Sequence, residues 1–280
     1  MLALHTRRFV NPADARLGRH VRHDPASLSY GHPVLPKSAI QSVSWQRRIP
    51  ILDQGQLGSC TGNALTGVLG TDSAGRTAST SVSVKADSRG VFRAGTYVLD
   101  EAFAVKAYSL NTLLDSFKGN YPPTDTGSSG LAAAKTGKAL GLLTGYTHAF
   151  SVDALRSALQ SGSVLWGTVW LRSMFETDAD GFVKVDRTSG EAGGHELVIS
   201  GYDVAEDVYE VQNSWGTSWG VDGYAYVHGA DMAWLLSQDG DITVPTYAPA
   251  PVDPAPVSPV VNADQALFAA FSSWAKAKGL

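Results

Sequence analysis

The stretch Gln54-Gly55-Gln56-Leu57-Gly58-Ser59-Cys60, continuing as Thr61-Gly62-Asn63-Ala64-Leu65-Thr66-Gly67-Val68-Leu69, decides how this chain is read. A glycine-rich turn leads through a small polar residue into a helical pattern, with Ala64, Leu65, Val68 and Leu69 on one apolar face. Cys60 then falls in the first helical turn, where unpaired backbone N–H groups and the helix dipole favour the thiolate. That position suits a nucleophile. Gln54, six residues earlier, can add a side-chain amide to the Cys60 backbone N–H as donors for an oxyanion. Cys60 is the only cysteine of 280 residues, so no intramolecular disulfide can form and an oxidising compartment is not implied. A lone cysteine is by default a small buried hydrophobe, and its partners elsewhere must argue otherwise.

A nucleophilic cysteine requires a base, and the base requires an orienting group. Gly193-Gly194-His195-Glu196-Leu197-Val198-Ile199 sets a histidine at the mouth of an apolar strand, after two glycines that permit close backbone approach. Val211-Gln212-Asn213-Ser214-Trp215-Gly216 ends another strand on an asparagine, whose amide oxygen can accept the His195 ring N–H. Trp215 would cover that bond. His148 and His228 lack such surroundings and are assigned structural roles.

These residues resemble the papain-like cysteine peptidases. The resemblance rests on Gln54 with Gly58-Ser59-Cys60, on His195 with its apolar strand and Gly201-Tyr202, and on Asn213-Ser214-Trp215-Gly216-Thr217-Ser218-Trp219-Gly220 running into Gly223-Tyr224. It extends over about Ser44 to Val227, with Ser44-Trp45 similar to the family's mature N-terminus. It implies an α+β, two-lobed fold: a helical left lobe carrying Cys60, an antiparallel barrel-like right lobe carrying His195 and Asn213, and a cleft between them. By similarity Gly127-Ser128-Ser129-Gly130 is the loop that pairs with an extended substrate, and Gly194 belongs with it. Thr61 stands where an aromatic residue is usual, Leu57 replaces a disulfide cysteine, and Gly194 replaces a common Asp or Asn. The family's long inhibitory propeptide is not expected, since about 43 residues precede the matching region. A bacterial or phage-type member without disulfides is the expectation.

Net charge is −4, from 22 basic against 26 acidic residues, and gives no electrostatic reason for a nucleic-acid or anionic-membrane partner. No apolar run is long enough to span a membrane, and no signal peptide is readable at the start, so synthesis in the cytoplasm is expected, with virion association or later release as alternatives. Residues 1–43 read as an extended arm on the surface, with covering of the cleft as the alternative. His20 and His23 within it lack partners at metal-ligand spacing. Residues 44–244 form the peptidase domain. Helices are expected over Leu99–Phe117, Gly130–Leu140 and Val152–Gln160, with an excursion over Thr71–Arg89. Strands are expected at Val164–Leu171, Phe182–Val185, Leu197–Ser200, Val208–Gln212 and Tyr224–Val227. Six prolines between Pro245 and Pro259 mark a spacer over 245–261, followed by an amphipathic helix over 262–280 that either packs on its own domain or docks a partner.

The function expected is cysteine-type endopeptidase, hydrolysing peptide bonds of peptide or protein substrates through an acyl-enzyme, without metal or organic cofactor. The alternatives are a cell-wall peptide hydrolase with the same machinery and a structural or virion-associated protein that keeps the scaffold.

Overall fold

The computed structural model describes residues 5–248 apart from 11, 24–26, 28 and 30. Near the start, β1 (His5–Arg7) and β2 (Val21–His23) form an antiparallel pair, and β3 (Val43–Ser44) follows. Next come α1 (Cys60–Leu69), the hairpin of β4 (Ser81–Val84) and β5 (Gly95–Val98), then α2 (Glu101–Leu114) and α3 (Gly130–Ala139). The second half comprises β6 (Leu143–Ala149), α4 (Val152–Leu159), β7 (Val164–Leu171), β8 (Glu191–Asp203), β9 (Val208–Gln212), β10 (Tyr224–His228), α5 (Gly229–Ser237) and β11 (Asp241–Tyr247).

This is the α+β, two-lobed arrangement expected. Seven strands form one antiparallel sheet in the order β10-β9-β8-β7-β11-β6, with β3 added to β8. Every residue of β7 is buried because its alternating side chains feed two cores. Val164 and Trp166 enter the right-lobe core, while Leu165 packs with Leu65, Val68, Phe103 and Val198 in the left. Gly62 allows α1 and α2 to approach, since a Cβ there would lie 2.6 Å from the Tyr108 backbone nitrogen.

Several local readings change. Phe182–Val185 makes only isolated bridges, because Asp178 accepts the N–H groups of Asp180 and Phe182 at 3.0 and 2.8 Å and curls the chain into a turn. The Thr71–Arg89 excursion holds β4. The spacer placed from Pro245 starts later, since residues 245–247 belong to β11 and Pro245 is in register with Tyr146. Beyond Thr243 that strand has a neighbour on one side only, a setting that tolerates a proline without an N–H. The helix over 262–280 lies outside the described residues.

The largest correction concerns the arm. Leu17, Arg19 and Val21 are all but fully buried. Phe9, Leu17 and Val21 join the right-lobe core, so the arm is drawn in by the same apolar burial that folds the rest.

Candidate active site

The start of α1 is anchored from below. The Gly58 N–H donates to Asp125 at 2.7 Å, and Asp125 also receives the Tyr108 hydroxyl from α2. Asn63 ties the first turn by donating to the Ser59 carbonyl and hydroxyl, both at 3.0 Å. Cys60 is thereby fixed at the helix N-terminus and fully buried, with the backbone N–H groups of Thr61, Glu196 and Gly18 near enough to favour the thiolate.

His195 lies on β8, in register with Thr168 of β7. Its Nε2 is 2.8 Å from Asn213 Oδ1, and its Nδ1 has no hydrogen-bond partner among the described residues. Asn213 Oδ1 also accepts the Ser214 N–H at 2.8 Å, which fixes the amide orientation. Trp215 lies 4.7 Å from the imidazole between ring centroids and Trp170 4.9 Å, so the ring sits in an aromatic enclosure. Gln54 is laced to the asparagine loop: its N–H donates to the Ser214 carbonyl at 2.9 Å and its Oε1 accepts the Ser214 hydroxyl at 2.7 Å.

Across this constellation runs residues 16–20 of the arm, as a strap. The Gln54 amide donates to the Arg16 carbonyl at 3.0 Å and to the Leu57 carbonyl at 2.7 Å. The Ser128 N–H donates to the Gly18 carbonyl at 2.8 Å, and the His20 N–H donates to the Ser128 carbonyl at 2.6 Å. Arg19 N–H donates to the Gly194 carbonyl at 3.0 Å. Gly127 takes φ +67°, and a Cβ there would meet His20 Nε2 at 2.7 Å. Ser129 instead caps α3 by accepting the Ala132 N–H, and Gly130 is the first residue of that helix. The Arg16 guanidinium stacks 4.2 Å from the Trp215 ring and pairs with Asp14 at 2.8 Å.

Burial sets the electrostatics of the site. Burial pushes the Cys60 thiol up to about 12, assisted by nearby Glu196 and opposed by the three N–H groups. Burial also lowers His195 to about 4, against the Asn213 hydrogen bond and with the Arg16 charge. The thiolate expected at a helix N-terminus is therefore replaced here by a neutral thiol and a neutral imidazole, because loss of water outweighs the helix dipole.

The papain family cysteine protease profile matches residues 41–237. The chain belongs to the papain family of cysteine proteases. It is 27% identical over 123 residues to an uncharacterized peptidase C1-like protein of Acanthamoeba polyphaga mimivirus, covering 40% of each chain. It is 47% identical over 67 residues to human cathepsin O, covering 23% of this chain and 21% of that protein. These matches span two fifths or less of the relatives' lengths. In fold it is similar to xylellain, a cysteine protease from Xylella fastidiosa, with a TM-score of 0.59 at 16% identity over 88% of this chain and 100% of that one.

In this papain-family chain, of the residues singled out from sequence, His195 is bonded to Asn213 and packed by Trp215, Gln54 is bonded to Ser214 beside them, and Gln54, Ser128 and Gly194 each bond the strap, while Cys60 begins α1. Sequence reasoning did not name the strap residues Arg16–His20 or the Tyr108–Asp125 brace. Leu17 and Val21, two apolar residues amid arginines and histidines, were the available sign of a buried arm. No helix among the described residues is long and apolar enough to cross a membrane.

Proposed function

We propose that this chain is a cysteine-type endopeptidase, of a bacterial or phage type in keeping with its single cysteine, held latent by the strap. Once residues 16–20 leave the cleft, water returns to Cys60 and His195, and the thiol proton passes to the imidazole. The thiolate attacks a peptide carbonyl carbon, and the resulting oxyanion takes the Gln54 amide donor released from the Arg16 carbonyl, together with the Cys60 N–H. The His195 imidazolium then protonates the departing amine as the C–N bond breaks, leaving a thioester. His195 next removes a proton from water, which attacks the thioester. The acid product departs and Cys60 recovers its proton. Asn213 holds the imidazole in one orientation throughout, and Trp215 keeps water from their hydrogen bond.

The observation that carries this reading is the His195–Asn213 pair at 2.8 Å, with the opposite ring nitrogen unpartnered. The test is casein hydrolysis by the chain with its strap released by Leu17→Asp, beside the same chain carrying Cys60→Ser. Loss of hydrolysis on Cys60→Ser and covalent labelling of Cys60 by an epoxysuccinyl inhibitor are expected. Equal hydrolysis by both chains sinks the proposal.

A further inference from the structure

Behind the His195–Asn213 pair, three amide side chains are oriented by partners that admit only one placement of oxygen and nitrogen. Asn63, in the first turn of α1, donates its amide nitrogen to the Ser59 carbonyl at 3.0 Å. A carbonyl only accepts, so Asn63 Oδ1 is turned to the other side. Gln212, the last residue of β9, accepts the Arg47 guanidinium on Oε1 at 2.7 Å. A guanidinium only donates, so Nε2 is the end of Gln212 left over. Asn213 receives the Ser214 N–H on Oδ1, the same oxygen that faces His195, which leaves its Nδ2. Asn63 Oδ1, Gln212 Nε2 and Asn213 Nδ2 are all buried, and none has a hydrogen-bond partner among the described residues.

All three residues line one cavity, walled also by the buried apolar side chains of Leu52, Ala64 and Val198, with about 10 Å³ of room for the centre of a water-sized molecule. That is about what one water requires and too little for a larger ligand. The polar groups at its rim select the same occupant. A metal cation is disfavoured by the two amide nitrogens and an anion by Asn63 Oδ1, whereas water donates and accepts at once. One O–H reaches Asn63 Oδ1, and the two lone pairs take the Gln212 and Asn213 amides. Immobilising one water costs less than leaving three buried polar groups unpaired.

We propose that this cavity binds a single structural water, and that through it Asn63 and Gln212 act as positioning residues that hold Asn213, and with it His195, in fixed relation to the helix carrying Cys60. The part of the assignment that concerns catalysis rests on the endopeptidase reading. Asn63 lies three residues beyond Cys60 on α1, while Gln212 and Asn213 end a strand of the sheet that carries His195, so the water joins the nucleophile's element to the base's. It anchors the Asn213 amide at the nitrogen, opposite the oxygen that His195 uses. Arg47 belongs to the same device, because its guanidinium decides which end of Gln212 faces the cavity.

The first test is a crystal structure of the unaltered full chain at a resolution that shows ordered water. One water is expected within about 2.7–3.2 Å of Asn63 Oδ1, Gln212 Nε2 and Asn213 Nδ2. No density in the cavity, or direct bonds among the three amides, overturns the proposal. The second is solvent exchange of the His195 Nε2 proton, followed by NMR at pH 7. Asn63→Ala and Gln212→Leu are each expected to speed it at least about fivefold. Gln212→Glu keeps an oxygen for Arg47 and offers the water's second O–H an acceptor, so it is expected to exchange like the unaltered chain. Unchanged exchange in Asn63→Ala or Gln212→Leu, or exchange in Gln212→Glu as fast as in Gln212→Leu, overturns the positioning role. The third is casein hydrolysis in the Leu17→Asp background, where Asn63→Ala is expected to lower kcat about fivefold with KM unchanged. An unchanged kcat overturns the role in catalysis. Absence of hydrolysis by the Leu17→Asp parent instead fails the endopeptidase reading, and the first two measurements still decide the water and its hold on His195.

Discussion

Leu17→Asp is expected to release the strap and change the reactivity of Cys60. Leu17 is 1% exposed, its side chain packed against Gly193 beside the catalytic strand. A carboxylate in that position has no partner, and its desolvation costs on the order of several kcal/mol, more than the packing it replaces supplied. Undocking of the strap relieves that cost without unfolding either lobe. Cys60 then moves from about 12 toward the ordinary 9.0, which raises its thiolate fraction at pH 7 about a thousandfold. A less basic thiolate is intrinsically slower toward disulfides, with a Brønsted coefficient of about 0.4–0.5, so the net gain in rate is about 30- to 60-fold before any gain in access. The assay is the second-order rate of reaction with dipyridyl disulfide at pH 7, in the full chain and in Leu17→Asp. Trypsin cleavage after Arg16 or Arg19 reports independently that the strap is free. A released strap with an unchanged Cys60 rate would refute the claim that the strap suppresses the thiolate.

Other perturbations have distinct readouts. In the full chain the His195 ring is expected to stay neutral at pH 5 and to take its proton only near pH 4, followed by NMR of its ring protons, whereas in Leu17→Asp the midpoint moves back toward 6.5. The sign for stability follows: the unfolded chain binds this proton first, so the contribution of the buried neutral ring is full above about pH 6.5 and is lost as pH falls toward 4. Asn213→Ala is expected to lower kcat/KM of the strap-released chain about 10²-fold, through loss of imidazole orientation. Trp170→Ala removes a fully buried ring that touches His195, Trp215 and Trp219, and is expected to cost about 3–5 kcal/mol in urea unfolding. Gly62→Ala forces a methyl into the α1–α2 contact and is expected to cost about 1–3 kcal/mol by the same measurement.

The local determinants were legible in the sequence wherever one physical signal prevailed. The apolar run VLWGTVWL is β7 to the residue, because a strand buried on both faces requires an unbroken apolar sequence. The 3.6-residue pattern after Ser59, with the small polar residue before it, likewise marks α1 and places Cys60 in its first turn. Fragments around Cys60, His195 and Asn213 carry the family because each holds chemistry in neighbouring residues. Strand β11 was hidden by Pro245, whose turn-forming reputation concealed a one-sided strand position. The segment Phe182–Val185 failed for the opposite reason, since the Asp178 carboxylate captured the backbone N–H groups a strand would have used.

Tertiary structure alone decided the ionisation state of the site and the fate of the arm. A helix N-terminus predicts a thiolate from local electrostatics, but desolvation depends on what covers the sulfur, and the cover comes from residues more than forty positions earlier. The buried charges are equally non-local: Glu196 and Asp241 flank Gly167 only because three strands align them, and Arg19 pairs with Asp241 only because the strap lies across the sheet. Sequence by itself singled out a candidate nucleophile, its candidate partners and the elements that carry them, because those depend on short-range pattern. Whether that thiol is charged and covered depends on long-range burial, which no local pattern encodes.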